Sequence, residues 1–382
     1  MEIFSKKKLI IIDDVYPGKE SPFRTEEYNN YIKKFKSVII LSNNLENDKM
    51  VINGNTFYKL PLSDDNLKNL QCEIKNKRRL AIATFINNIC SDCYSNLDIL
   101  EKCNIPFVFT IYPGGGLIFN DKIVNERLKK IFNSNLFKNV IVTQPIIYDY
   151  IMDNKLCDAS KITKIYGIVT PKKALKNKIK KKHYKINKKI LDICFVAHKY
   201  CEDGKDKGYP IFINVAKKLC EQYENIYFHV VGEFTEKTLD ITPIKNKIKF
   251  YGVQNTEWFN NFYLDKDIIL SPNIPFVLSK GSFDGFPTGS ATEAMLHKVV
   301  LIATDELRQN IFFKNLKNII IVSSNEDEII NKIEYLYKNY NMIKKIGKCG
   351  RKVVKRNYSY KKQIRPRIKL INEYLKNKEK YE

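Results

Sequence analysis

The sequence lacks most of the features that place a protein at a glance. None of its apolar runs approaches the ~20 residues of a membrane-spanning helix, so a soluble or at most peripheral protein is expected. Its nine cysteines (72, 90, 93, 103, 157, 194, 201, 220 and 349) follow no regular spacing, which argues against a disulfide framework and fits reduced thiols. One pair, Cys90-Ser-Asp-Cys93, is a CxxC. It has neither a second pair nor histidines at matching spacing, so small core residues are the simpler expectation than zinc or redox chemistry. The first residues, Met1-Glu-Ile-Phe-Ser-Lys-Lys-Lys, run straight into an apolar strand without the pattern of a signal peptide, and a cytoplasmic location is expected. Acids are in deficit: 42 Asp and Glu face 66 Lys and Arg, a net charge of +24. That balance favours nucleic acid, anionic lipid surfaces or phosphorylated substrates. The lysines are spread along the chain and no recognised nucleic-acid motif accompanies them, so no specific nucleic acid is expected; a basic nucleic-acid-binding protein is the rival from another class.

What is present is α/β patterning. With 44% hydrophobic residues, 382 residues suit two domains, each with its own core. Short β-branched runs at residues 8–12, 37–41, 80–85, 107–111, 140–143 and 162–166 alternate with helical stretches, the signature of a parallel sheet covered on both faces. The fourth run enters Tyr112-Pro-Gly-Gly-Gly116. Gly114, Gly115 and Gly116 sit at a strand's carboxyl end, where ligands approach open α/β sheets; a tight turn is the plainer alternative. Residues 172–189 then change composition, with ten lysines in eighteen positions, and read as an exposed linker. The pattern restarts with strands at 191–197, 226–231, 247–251 and 267–270 and helices at 209–221 and 256–263. The expected division is residues 1–175, a Lys-rich linker 176–190, a second domain 191–357 and a last helix 358–382. The apolar spacing of Ile364, Ile368, Leu370, Ile371 and Leu375 lets that helix cross back onto the first domain. Two such Rossmann-like domains would face each other across a cleft, a common place for a ligand.

The most informative stretch is residues 279–305, SKGSFDGFPTGSATEAMLHKVVLIATD. A Gly- and Pro-punctuated loop with one acid, Asp284, leads into a helix over residues 290–297, with Thr288 or Ser290 as N-cap and Glu293 in its first turns. Such a helix start offers free N–H groups to an anion, and a carboxylate one turn in would meet hydroxyls; a diphosphate and sugar hydroxyls are what a nucleotide sugar carries. Taken alone, the stretch fits a solvated loop and helix equally well. Other loops at strand ends add Ala197-His-Lys-Tyr, Asp206-Lys-Gly208, Gly232-Glu-Phe and Tyr251-Gly-Val-Gln.

In this order, FVAHKY…KDKG, HVVGEF, FYGVQ and FDGFPTGSATEAML resemble the motifs of family-4-like ("group 1") glycosyltransferases of the GT-B fold, over about residues 192–357. The resemblance implies a retaining, metal-independent, hexosyltransferase-like enzyme. It would move a sugar from a nucleotide-diphosphate sugar, its substrate and not a resident cofactor, to a hydroxyl of a glycan, glycolipid or other acceptor. The first domain would then serve the acceptor and the second the donor. Carried over residue by residue, Lys207 holds the diphosphate and Glu293 takes the ribose hydroxyls. Backbone groups of Gly285, Phe286, Thr288, Gly289 and Ser290 line the donor, Gly232 and Val253 flank the nucleotide, and Asp284 faces the sugar. His198 or Lys199 stands where the family usually has Arg, Asp284 replaces a Glu, and its spacing to Glu293 is one longer than usual. Tyr112-Pro113 stands where many relatives have a His. No carboxylate pair of the DxD type and no candidate nucleophile stands out. A nucleotide-sugar epimerase or hydrolase of the same fold is the nearest alternative, and association with an anionic inner membrane face is compatible with the basic charge.

Overall fold

The computed structural model describes residues 7–18, 21–35, 37–75, 78–85, 93–114, 116–171, 175 and 180–376. The chain forms two compact units, Met1–Lys172 with Tyr358–Glu382, and Lys173–Asn357.

In the first unit the chain runs β1 (Lys7–Asp13), α1 (Pro22–Phe35), β2 (Ile39–Ser42), β3 (Lys49–Ile52), β4 (Asn55–Lys59) and α2 (Asp64–Ile74). It continues through β5 (Arg78–Phe85), α3 (Leu97–Lys102), β6 (Phe107–Ile111), α4 (Lys122–Asn133), β7 (Phe137–Val142), α5 (Pro145–Asp153) and β8 (Ile162–Lys164). The sheet order is β3-β4-β2-β1-β5-β6-β7-β8. Every neighbouring pair is parallel except β3 with β4. That exception is a hairpin absent from the strands expected above. Its turn is Asn53-Gly54, both at positive φ (50° and 76°), the backbone a two-residue hairpin demands. Ile40, Leu80, Ile82 and Val108, drawn from the apolar runs, are buried to within 2% in the unit's core.

The second unit holds β9 (Leu191–Val196), α6 (Tyr209–Gln222), β10 (Ile226–Val231), β11 (Ile248–Phe250), α7 (Thr256–Phe262) and β12 (Ile268–Ser271). Then come α8 (Gly289–Leu296), β13 (Val300–Thr304), β14 (Ile320–Val322), α9 (Glu326–Lys338) and α10 (Tyr340–Asn357). The all-parallel order β11-β10-β9-β12-β13-β14 is that of a doubly wound nucleotide-binding sheet.

The Lys-rich segment departs from the solvated linker expected of it. Residues 172–174 and 176–179 lie outside the described residues, but residues 180–190 fold onto the second unit. Tyr184 is fully buried, its amide donates to Asp267 Oδ1 at 3.0 Å, and its ring stacks on Tyr337 at 5.2 Å. Lys188 pairs with Asp267 at 2.6 Å and with Asp192, which also bonds His229 Nε2 at 2.7 Å. Buried Lys181 donates to the carbonyls of Tyr263 and Lys266, and burial, partly opposed by Asp267, lowers its pKa to about 7. Asp192 and Asp267 sit where β9 and β12 begin, so lysines that composition assigns to solvent neutralise the base of the sheet.

The last helix, α11 (Tyr360–Lys376), belongs to the first unit. Its Ile364, Ile368, Ile371 and Leu375 join Leu9, Ile11 and Tyr28 in one cluster. Fully buried Arg367 places Nε 3.3 Å from Glu27 Oε1, and Glu27 also accepts from the hydroxyls of Tyr31 (2.6 Å) and Tyr112 (2.7 Å). Burial, reinforced by the Glu27 charge, holds both tyrosines well above the usual phenol range. Tyr112, noted in the sequence where relatives carry a His, is thus part of a buried network. Among the described residues no helix is long and apolar enough to cross a membrane.

Removing one partner of a buried pair strands the other charge, so Glu27→Ala or Arg367→Ala should each cost about 3–5 kcal/mol in urea unfolding. The double variant Glu27→Leu/Arg367→Met should cost clearly less than the sum of the two. Single variants as stable as the parent, or strictly additive losses, would show that the pair does not anchor this helix.

Candidate active site

In the second sheet the strand order reverses between β9 and β12, and ligands of such sheets bind at the carboxyl ends flanking that switch point. Two glycines let the loops meet there. Gly208, at φ 69°, lies so close to the next loop that a Cβ would sit 2.0 Å from the Pro272 carbonyl oxygen. Gly232, at φ 133°, would bring a Cβ within 1.9 Å of the Ala197 oxygen. Any side chain at either position would push the loops apart.

Lys207, on a single 3-10 turn ended by Gly208, is therefore delivered against the β12–α8 loop. Its Nζ lies 2.6 Å from Asp284 Oδ2 and 3.4 Å from Asp206 Oδ2, and 4.8 Å above the Tyr200 ring. Burial works against the ammonium, but Asp284 and Asp206 outweigh it and hold its pKa above the ordinary lysine value. Asp284 is fixed from three sides: its Oδ2 also accepts from Asn273 Nδ2 at 2.7 Å, and its carbonyl accepts from Gln309 Nε2 at 2.9 Å. Asn273 and Gln309 were not singled out in the sequence; they are loop amides with no pattern to flag them. With Gly285, Thr288 and Thr304 they line a small polar pocket.

His198 and Lys199 do not join Lys207 directly. His198 Nδ1 lies 2.8 Å from Glu233 Oε1, and the Lys199 amide donates to Glu233 Oε2 at 3.0 Å. Partial burial pushes the Glu233 carboxyl up, but the His198 bond and backbone amides outweigh it and hold it below the usual range. The sequence gave Glu233 no role of its own, although it directly follows Gly232. It occupies the cation that would stand in for the family's Arg.

Helix α8 begins as its sequence predicts, with Thr288 as N-cap accepting from the Ala291 amide at 3.3 Å. Ser290 Oγ donates to the Val196 carbonyl at 2.9 Å and ties the helix tip to the end of β9. Among the described residues no acceptor is recorded for the amides of Gly289 and Ser290, and a Cβ on Gly289 would meet open space. One turn on, half-buried Glu293 has no recorded side-chain partner, and burial alone raises its pKa to about 7. It is a carboxylate short of donors. Val253 is 58% exposed beyond the end of β11, whereas the Phe286 side chain is turned inward at 8%. In the first unit, Gly114 (φ 84°) and Gly116 (φ 115°) follow β6 in a tight turn, and Gly115 lies outside the described residues.

Residues 176–353 match the model of the family described as "Glycosyl transferases group 1". The second unit belongs to that family, as its motifs suggested, and the chain as a whole has the fold of GT-B glycosyltransferases. No curated protein matches the chain. Among solved structures it is similar to a glycosyltransferase from Rickettsia africae ESF-5, at 18% identity and TM-score 0.69 over 98% of this chain and 99% of that one. Sucrose-phosphate synthase from Thermosynechococcus elongatus gives 12% identity and TM-score 0.73 over 96% and 98%. HepE from Anabaena, solved in complex with UDP-glucose, gives 11% identity and TM-score 0.66 over 96% and 99%.

Two consequences are measurable. Gly208→Ala must move either Lys207 or the Pro272 loop, and should lower the thermal midpoint while weakening any ligand that Lys207 contacts; a variant matching the parent in both would refute the close approach. For Glu293, the folded pKa of about 7 lies above the model value of 4.5, so the folded protein binds the extra proton. Stability should therefore fall as pH rises from 4.5 to 7 and stay reduced above that window. Glu293→Gln should melt higher than the parent near pH ~8 and approach it towards the acid end. Parallel melting curves at all pH values would contradict this.

Proposed function

We propose that the protein transfers a sugar from a nucleotide-diphosphate sugar to an acceptor hydroxyl, with retention at the anomeric carbon and without a metal, in glycan, polysaccharide or glycolipid synthesis at the cytoplasmic side of a membrane. The observation that carries this is the placing of Lys207 and the α8 tip at the switch point, with an unpartnered Glu293 one turn inside. The UDP-glucose complex of HepE lends the donor class support.

In this proposal the ribose hydroxyls donate to the Glu293 carboxylate and relieve its shortage of donors. The diphosphate takes the amides of Gly289 and Ser290 together with the Lys207 ammonium. These groups are charged and aimed before the donor arrives, so they can stabilise the leaving diphosphate without reorganising, the effect that usually dominates such steps. Asp284 would meet the donor sugar. With Oδ2 already engaged by Lys207 and Asn273 it is a poor nucleophile, which fits a displacement without a covalent enzyme intermediate. No cofactor beyond the donor is invoked.

Thermal-shift and calorimetric titration with nucleosides, nucleoside diphosphates and nucleotide sugars tests the assignment. Lys207→Ala should weaken diphosphate-bearing ligands about 10- to 100-fold, as loss of a charge-assisted bond does, and leave nucleosides unaffected. Glu293→Ala should weaken both classes. Absence of any shift with every ligand would overturn the donor site. Release of free sugar or of an epimer without an acceptor would replace transfer by hydrolysis or epimerisation on the same site.

A further inference from the structure

The second unit carries a different concentration of charge at the opposite edge of its sheet. Helix α10 has seven cations and no acid in eighteen residues. Its Gly347 packs so closely on the turn before β13 that a Cβ there would lie 2.2 Å from the Lys298 carbonyl oxygen. Lys298 is thereby rooted against the helix. Lys344 and Arg351 stand one turn to either side of Gly347, and Lys348 is one turn along from Lys344. No ion pair is recorded for Lys344 or Lys348 among the described residues, and both are exposed. After burial, the influences on Lys298 are Arg351, Lys348 and Lys344, all of which disfavour its charge. Beside them His183 is 6% exposed, its Nδ1 has no hydrogen-bond partner, and its charged neighbours are Lys181, Lys344, Lys298 and Lys188. The nearby acids Asp192 and Asp267 are already engaged by Lys188. Like charges gathered against a polar atom left unsatisfied are costly unless an anion joins them.

We propose that this basal face is a second anion site, in which Lys298, Lys344, Lys348 and Arg351 bind a phosphate group distinct from that of the donor. The phosphate belongs either to a lipid headgroup or to a soluble phosphorylated ligand. A lipid source would hold the unit at an anionic surface by its base and leave the donor edge, at the other end of the strands, open.

The full chain is used, in a Lys207→Ala background that removes phosphate binding at the donor site. Two probes are applied: pyrophosphate by calorimetry, and flotation with phosphatidylcholine vesicles with or without phosphatidylglycerol. Lys344→Gln/Lys348→Gln should weaken binding roughly 25-fold, about fivefold per cation near an anionic surface. Both lysines are exposed, so the thermal midpoint should be unchanged. A control, Lys237→Gln/Lys245→Gln, removes the same charge from exposed loop positions of the same unit and should leave binding unaltered. Loss confined to charged vesicles assigns a lipid source, and loss confined to pyrophosphate assigns a soluble one. If the parent binds neither probe, if the α10 variant binds like the parent, or if the control loses as much, the site does not exist.

Discussion

Lys207 and Asp284 lie 77 positions apart and meet at 2.6 Å, and the carboxyl edge of the second sheet is arranged around that contact. A parallel sheet sends all its strand-to-helix loops out at one edge, which supplies proximity but no fixed geometry. The ion pair supplies the geometry. It closes one loop from the β9 side onto another from the β12 side. Gly208 makes the approach sterically admissible, while Asn273 and Gln309 stop Asp284 from following the lysine elsewhere. Both charges are screened by each other in the empty site, so the desolvation of Lys207 is met before any ligand arrives. An incoming diphosphate then exchanges partners with a cation that is already charged and aimed.

The same device recurs away from the donor edge, with a different outcome. At the base of the second sheet Lys188, Asp192, Asp267 and His229 are linked to one another and to backbone amides, and little of their bonding capacity is left for a ligand. In the first unit Glu27 receives two phenols and a guanidinium, and so ties a helix near the start of the chain to one near its end. Saturated networks of this sort anchor. The donor edge differs because it keeps deliberate deficits: two helix-tip amides, one carboxylate oxygen of Asp284 and both oxygens of Glu293 lack donors or acceptors of their own.

That difference also explains what the sequence disclosed. The short β-branched runs, the Thr288 cap and the Gly-bearing loops are local patterns, and local patterns survive in one dimension. The Asn53-Gly54 hairpin was equally legible, since that dipeptide between apolar runs is a strong turn signal, and it was passed over because the flanking strands are short and partly polar. Glu27, Tyr112 and Arg367 gave no signal at all. The last two are 255 residues apart, and a buried polar contact of that separation leaves no period in either segment. The Lys-rich segment misled for a related reason. Composition reports the average preference of its lysines, whereas the fold is decided by Tyr184 and by two acids on other strands that turn Lys181 and Lys188 inward.

The net charge of +24 therefore has no single meaning along this chain. Lysines at the donor edge and at the sheet base come with acids: Asp284 and Asp206 for Lys207, Asp192 and Asp267 for Lys188. Their fields largely cancel beyond a few ångströms, and they act by contact. Helix α10, with seven cations and no acid, is where uncancelled charge accumulates, and it acts at the range of a Debye length, about 8 Å at physiological ionic strength. Contact chemistry needs a screened cation that can be handed from one anion to another. Capture of an anionic surface or ligand needs an unscreened one. Placing the two at opposite ends of the same parallel strands keeps the attraction of one from filling the other with the wrong anion.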